Sequence, residues 1–298
     1  MSIKLKELNE QVIVITGASS GIGLCTAESA CKQGAKVVLS ARSENTLTDV
    51  VSRLNDAGCE AISVPADVAN RSQLEGVADA AVRRFGRIDT WVNNAGVAIY
   101  GRLDEVTEED NRRLFDTNFW GVVNGSLVAL QHLKSNGGGA LINLGSEVSE
   151  AAAPLLGMYT ASKHAVKGFT DVLRVEIEHV DKAPISITLI QPTAVDTPFD
   201  EHGWNYMDKQ PDLPTPMIDP QKVADAILEA AVKPTRDIRV GTMSKLNTFV
   251  AKNLPAVGDR MSAKQIKNFK RDEPPRDPDG TLFVPGEGGH IHGDHPQA

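Results

Sequence analysis

"QVIVITGASSGIG", residues 11 to 23, decides the fold of this chain. A short β-branched run ends at a cluster of glycines, and the cluster gives way to "LCTAESACKQG", a helical stretch closed by Gly34. Strand, turn and helix therefore follow one another directly. Gly17, Gly21 and Gly23 stand in a GxxxGxG spacing between strand and helix. Glycines there let the chain turn tightly and let backbone N–H groups and the positive end of the helix dipole approach a pyrophosphate. A glycine-rich turn can also be purely structural, so the rest of the chain must decide between the two readings.

The same alternation continues to residue 241. Strands are predicted at "KVVLSA", "AISVPA", "DTWVNN", "ALINLGS", "ISITLIQP" and "DIRVG", with helices over 45–57, 72–85, 107–133, 158–180 and 221–233. Seven short buried strands separated by helices imply an α/β fold: a doubly wound, Rossmann-type parallel sheet covered by helices on both faces. In that context the glycine turn reads as dinucleotide-binding, through Gly17, Ser19, Ser20, Gly21, Ile22 and Gly23. We expect one catalytic domain over 1–242, with 193–220 as a lid, followed by an extension over 243–298 that is partly disordered from 271. The lid stretch holds five prolines and three aromatics, too long a connection to be idle. Residues 271–298 contain ten Pro or Gly in 28 and no periodicity, the composition of a tail with little packed structure of its own.

A chain of 298 residues, 41% hydrophobic and 23% charged, can bury an enzyme-sized core. Its net charge of -8 argues against a nucleic-acid binder. The short apolar run "VIVI" is no signal-peptide core and no later run approaches a membrane span, so the expectation is a cytoplasmic protein with neither nucleic-acid nor membrane partners. Cys25, Cys31 and Cys59 show no metal spacing and no disulfide framework, and are expected as buried small side chains. His290, His292 and His295 lie in a Gly-rich terminus without an orienting scaffold, so no metal site is assigned to them.

"MYTASKHAVKGF", residues 158 to 169, places Tyr159 four residues before Lys163. Positions i and i+4 share a helix face, which puts an ammonium near a phenol. A phenol titrates near ~10, and a neighbouring cation favours phenolate, so the pair suits proton transfer. The plainer alternative is a buried Tyr beside a surface Lys. Ser146, at the end of "ALINLGS", and Asn118, in the preceding helix, can each reach the carboxyl edge of the sheet, where such folds bind ligands.

With "TGASSGIG", "NNAG" at 93–96, Asn118 in "TNFWG", Ser146 and "YTASK" in this order, the chain resembles the short-chain dehydrogenase/reductase family over roughly residues 8 to 242. The resemblance implies an NAD(P)-dependent oxidoreductase that interconverts alcohols and carbonyl compounds, with Asn118, Ser146, Tyr159 and Lys163 as catalytic tetrad. In it, Ser146 orients the substrate oxygen, Tyr159 exchanges its proton, Lys163 lowers the phenol pKa and holds the nicotinamide ribose, and Asn118 positions a water. It also implies cofactor contacts from Asp67, Val68, Asn94, Ala95, Gly96, Val195 and Thr197. Pro192 is followed by Thr193 where the family often has Gly. Family members usually form dimers or tetramers through two long helices, which implies a homodimer or homotetramer.

The end of "VVLSARS" bears on cofactor choice. An acidic residue there would bond the ribose 2′-hydroxyl and repel a 2′-phosphate. Ala41 stands at that position and Arg42 follows, flanked by Ser40 and Ser43, so the chain is expected to prefer NADP(H) to NAD(H). Candidate substrate residues are Ser146, Glu147, Leu155, Tyr159, His202, Trp204 and Tyr206, a partly apolar set suited to a small-molecule carbonyl or alcohol. A noncatalytic dinucleotide sensor or scaffold and a 3-oxoacyl-thioester reductase remain as alternatives.

Overall fold

A computed structural model of the chain describes residues 3–286 and 288–294. The first strand, β1 (Val12–Thr16), is buried throughout and feeds α1 (Gly21–Lys32). β2 (Lys36–Ala41), α2 (Glu44–Asp56), β3 (Ala61–Pro65), α3 (Arg71–Phe85) and β4 (Thr90–Asn93) complete the first half. The second half runs through β5 (Ile99–Tyr100), α4 (Glu108–Phe115), α5 (Gly121–Ser135), β6 (Gly139–Leu144), α6 (Gly157–Arg174) and β7 (Ile185–Pro192). It continues with β8 (Trp204–Asn205), α7 (Pro220–Val232), β9 (Asp237–Val240), α8 (Thr242–Asn253) and α9 (Pro255–Gln265).

Seven of these strands form one parallel sheet in the order β3-β2-β1-β4-β6-β7-β9. Successive side chains of a strand point to opposite faces, and β1 divides its own accordingly. Ile13 and Ile15 pack with Leu24, Leu39, Leu47 and Ile227 on one side of the sheet. Val12 and Val14 pack with Leu74, Val77, Leu133 and Leu141 on the other. Strand order reverses between β1 and β4, so their carboxyl ends diverge and open a crevice.

Local structure departs from the sequence expectations in three places. The helix expected over 107–133 is interrupted by a π-helical turn at Asp116–Trp120, and the one over 158–180 ends in another at Val175–Val180. Hydrophobic period alone does not register one extra residue in a turn. β5 and β8 form a small parallel sheet of their own, too short to leave a pattern. Cys31 and Cys59 are joined by a disulfide with Cα atoms 5.7 Å apart, across a separation of 28 residues that carried no pairing signal.

Residues beyond β9 pack against the domain. α8 contacts β9, and Asn247 donates to Glu147 at 3.0 Å. The stretch 271–294 has no helix or strand among its described residues, in keeping with its composition, yet Leu282 within it is fully buried. Among the described residues no helix is long and apolar enough to cross a membrane.

A buried polar chain ties the second half together. Trp91 Nε1 donates to Asn93 Oδ1 at 2.8 Å, and Asn93 Nδ2 donates to Ser126 at 3.1 Å and to Asn143 Oδ1 at 2.8 Å. Asn143 Nδ2 then donates to Thr170 Oγ1 at 3.0 Å. β4 and β6 are thereby fastened to α5 and α6. Asn143→Ala leaves Asn93 and Thr170 short of partners in a dry interior, so it should destabilise the fold by about 1–3 kcal/mol. Urea unfolding checks this, and a loss under about 0.5 kcal/mol would show the chain of amides to be dispensable.

Candidate active site

The crevice between β1 and β4 is part of a cavity of about 540 Å³. Its floor at one end is the turn Gly17–Ile22, and at the other it is Ser146, Tyr159 and Lys163. Gly17 has φ 65°, and a Cβ there would stand 2.7 Å from Ala95 Cα. A Cβ on Gly23 would collide with the Gly17 carbonyl and stand 2.6 Å from the Asn94 amide. Only glycine permits this packing of turn against strand end, and it keeps the backbone low enough for a pyrophosphate to lie over it. Asn94 clamps the turn, donating to the Thr16 and Gly17 carbonyls at 2.9 and 3.0 Å.

The elongated cavity runs past Arg42, Ser43, Asp67 and Val68 on the glycine side, then past Asn94, Ala95 and Gly96, to Pro192, Val195 and Thr197. These sequence-derived positions are brought to one wall. Gly23 and Ser40 lie behind it: Ser40 is buried, its carbonyl accepts from Ala18 N at 3.1 Å, and its hydroxyl has no partner among the described residues. Asp67 borders the cavity while Arg113 donates to one of its oxygens at 2.6 Å and Ala69 N to the other at 3.0 Å, which leaves each oxygen a further acceptor site.

α6 presents Tyr159 and Lys163 on one face, with the Lys163 Nζ 5.6 Å from the Tyr159 ring centroid. Ser146 caps the short 3-10 turn Glu147–Ser149, and its hydroxyl is hydrogen-bonded to Tyr159. Lys163 is buried and donates to the Leu144 carbonyl at the end of β6, 2.9 Å away. Burial without a carboxylate lowers its pKa to about 8. Burial likewise raises the Tyr159 phenol to about 12; the Ser146 hydrogen bond works against this and the charge of Glu147 adds to it. Burial dominates the phenol in this arrangement, and Lys163 is not among the groups that shift it.

Asn118 sits in the π-helical turn, fully buried. Its Oδ1 accepts from Val97 N at 2.8 Å, and its Nδ2 donates to Val97 O at 2.9 Å and Ser162 Oγ at 3.2 Å. Both Nδ2 protons are taken and Oδ1 keeps one acceptor site, so the amide joins the strand after Gly96 to α6, and Asn118 does not line the cavity.

The substrate end is walled differently from the sequence expectation. Glu147 and His202 border the cavity, but Leu155, Trp204 and Tyr206 do not. Leu155 takes φ 67° and its carbonyl accepts from Gly101 N. Trp204 and Tyr206 belong to the β5–β8 layer, where Trp204 meets Phe283 and the Tyr206 hydroxyl donates to Asp110. In their place stand Val148, Leu156, Phe199, Leu213, Val250 and Met261. The last two come from α8 and α9, whose sequence had offered no chemical signal. Glu147 accepts from Thr193 at 3.1 Å and Asn247 at 3.0 Å, and its carboxyl is raised above the usual range by burial. Among the described residues no His, Cys, Asp and Glu cluster could hold a metal, and His295 lies outside them.

Comparison with known proteins agrees with this geometry. A family model for short chain dehydrogenases matches residues 11–205. An uncharacterised oxidoreductase of Bacillus subtilis, YxnA, is 43% identical over 295 residues, covering 98% of this chain and 83% of the relative. An alcohol dehydrogenase of Thermococcus sibiricus, solved with 5-hydroxy-NADP, superposes with a TM-score of 0.67 at 27% identity, covering 77% of this chain and 94% of that one. A short chain dehydrogenase/reductase of Burkholderia phymatum, solved with NAD, gives 0.70 at 29% identity over 90% of this chain and 97% of the other.

The buried ammonium has a consequence for stability. Below pH 8 Lys163 is charged both folded and unfolded, and the full cost of burying the charge is present. Between about 8 and 10.5 the folded chain releases the proton while the unfolded chain retains it, so stability rises with pH across that window. The stability gap between Lys163→Met and the parent should therefore shrink from pH 8 to 10.5 in urea titrations without dinucleotide. A gap independent of pH would show that Lys163 keeps its proton in the folded chain.

Proposed function

The chain belongs to the short chain dehydrogenase family, and on that premise we propose that it is an NADP(H)-dependent oxidoreductase interconverting a secondary alcohol and a ketone, or an aldehyde and its alcohol. One observation carries the reading: the hydrogen-bonded hydroxyls of Ser146 and Tyr159 lie beside a buried, carboxylate-free Lys163, in a cavity continuous with the glycine turn. A purely structural Tyr and Lys would not share a cavity with a dinucleotide cradle.

When bound, the nicotinamide supplies the hydride acceptor or donor. Gly17, Ser19, Gly21 and Ile22 would take the pyrophosphate, and Lys163, with one of its donors on Leu144, has others to offer to the nicotinamide ribose. Ser146 and Tyr159 hold the substrate oxygen between two donors. In reduction Tyr159 gives its proton to that oxygen, and in oxidation it takes the proton back. Hydroxyl partners on Lys163 favour its charged form, and the charged form favours the Tyr159 phenolate, which brings the phenol down from its ligand-free value. Asn118 acts as a positioning residue through Val97 and Ser162.

The apolar wall from Val148 to Met261 suits a bulky, mostly apolar substrate, and residues 193–220 supply the part of that wall formed by Phe199 and Leu213. Ala41 and Arg42 support NADP(H) as the preferred cofactor. Trp120, Val172 and Val175, exposed on the π-turn, on α6 and at the following residue, support assembly into a homodimer or homotetramer. A sensor without turnover, the competing reading, would not need the hydroxyl pair.

Tyr159→Phe removes one hydroxyl and little volume. It should lower kcat by about 10²–10⁴, with dinucleotide Kd changed by less than about threefold. Screening alcohols and ketones with each nicotinamide cofactor provides the assay. Turnover near the parent level in the Phe variant would remove Tyr159 from the proton transfer, and no hydride transfer to any carbonyl compound would favour the sensor.

A further inference from the structure

The C-terminal stretch lies across the adenosine end of the cavity. Thr281, Pro285 and Gly286 line the same cavity as Ser19 and Arg42. Leu282 is its anchor: the side chain is fully buried in a cluster with Val97, Ile99 and Leu114, and Phe283 packs on Trp204 at 5.4 Å. Thr281 N donates to the His202 carbonyl at 2.9 Å. Further along, Gly289 N donates to Ser19 O at 2.7 Å, and Gly21 N donates to His290 O at 3.1 Å. An N–H of the glycine turn is thus already spent on the chain's own terminus.

Arg42 is spent in the same way. Its Nη1 donates to the Leu282 carbonyl at 3.1 Å, and its Nη2 donates to the carbonyls of Val284, at 3.3 Å, and Thr281. A guanidinium offers an oxyanion two forks, one end-on from Nη1 and Nη2 and one side-on from Nε and Nη2. Both forks use Nη2, and both Nη2 protons are taken. Arg113 adds a second cation nearby, donating to Leu282 O at 3.1 Å, and the carboxylate of Asp67 is directed to Arg113. The locality is therefore rich in positive charge and answered by neutral carbonyls, an arrangement that a dianion can displace and a ribose hydroxyl has little power to displace.

We propose that residues 281–284 form a strap that competes with the 2′-phosphate of NADP(H) for Arg42, so that NADP(H) is bound in full only when the strap leaves that guanidinium. This rests on the reading of Arg42 as the 2′-phosphate site. NAD(H), with a hydroxyl in place of the phosphate, gains nothing from Arg42; the separate contact of the His290 carbonyl with the Gly21 N–H lies on the pyrophosphate cradle that both cofactors share and does not distinguish them. The strap thus determines cofactor specificity: docked, it narrows the advantage of NADP(H), and released, it restores it.

Two variants and one measurement on the intact chain test this. Leu282→Asp expels the anchor, and deletion of 281–298 removes the strap. If the strap occupies Arg42 nine-tenths of the time, either change should raise the affinity for NADP(H) relative to that for NAD(H) about tenfold. In the intact chain, saturating NADP(H) should speed proteolysis or amide exchange within 281–284 while saturating NAD(H) does not, a readout independent of how well the variants fold. Equal protection of 281–284 by both cofactors, or a ratio of NADP(H) to NAD(H) affinity unchanged or lowered in both variants, overturns the strap. If Arg42→Ala in the shortened chain still weakens NADP(H) selectively, that failure leaves the cofactor reading standing; if it weakens both cofactors equally, both fall.

Discussion

A single ammonium buried without a carboxylate is the constraint around which the site is built. Lys163 sits at the end of β6 with the Leu144 carbonyl as its protein partner, and burial alone pulls its pKa to about 8. The ammonium is held there by that carbonyl and borders the cavity, and the elements around it are tied together by polar contacts. The amides from Asn93 to Thr170 fasten β4 and β6 to α5 and α6, and the π-turn sets Asn118 against Val97 and Ser162. Tyr159 shares the helix face of Lys163: unliganded, the phenol stands near 12 and keeps its proton, and the amine, near 8, is charged at neutral pH. Polar partners from a ligand would shift both towards the working pair.

The sheet makes that possible by its topology. Reversal of strand order between β1 and β4 opens one crevice, and the glycine turn and the catalytic end lie in the same cavity because β6 follows β4 in the sheet. What the Rossmann-type core does not supply, the C-terminal extension does. Val250 and Met261 wall the substrate end, Asn247 fixes the buried Glu147, and the stretch from Thr281 roofs the adenosine end. One segment beyond the last strand thus touches both ends of the cavity.

Much of this was legible in the residues. Seven β-branched runs ending in turns gave each strand of the large sheet, because a strand buried on both faces leaves a continuous apolar run. Gly17, Ser146, Tyr159 and Lys163 stood out by type and position, and the fold brings them to one cavity. Trp204 and Tyr206 misled, because aromatic residues in a long loop read equally as pocket or packing, and a pair of two-residue strands turns them away from the cavity. The π-turn at Asn118 was hidden because one inserted residue hardly disturbs a helical period. The described residues of the tail hold no helix or strand, yet it is fastened through backbone carbonyls to Arg42 and through the buried Leu282, and neither contact leaves a compositional mark. The Cys31–Cys59 disulfide was invisible for a related reason: it depends on how α1 lies against the turn before β3.

Coupling between Lys163 and Tyr159 is what separates an active site from a pair of buried side chains, and the phenolate absorbance of Tyr159 reports it directly. The signal is isolated by subtracting the titration of Tyr159→Phe, and is followed with and without saturating nicotinamide dinucleotide, in the parent and in Lys163→Met. Bound dinucleotide should bring the phenol from about 12 to well below its ordinary value of 10, and only where Lys163 is present. A titration unmoved by the dinucleotide, or moved equally in Lys163→Met, would contradict the proton-transfer role of the pair.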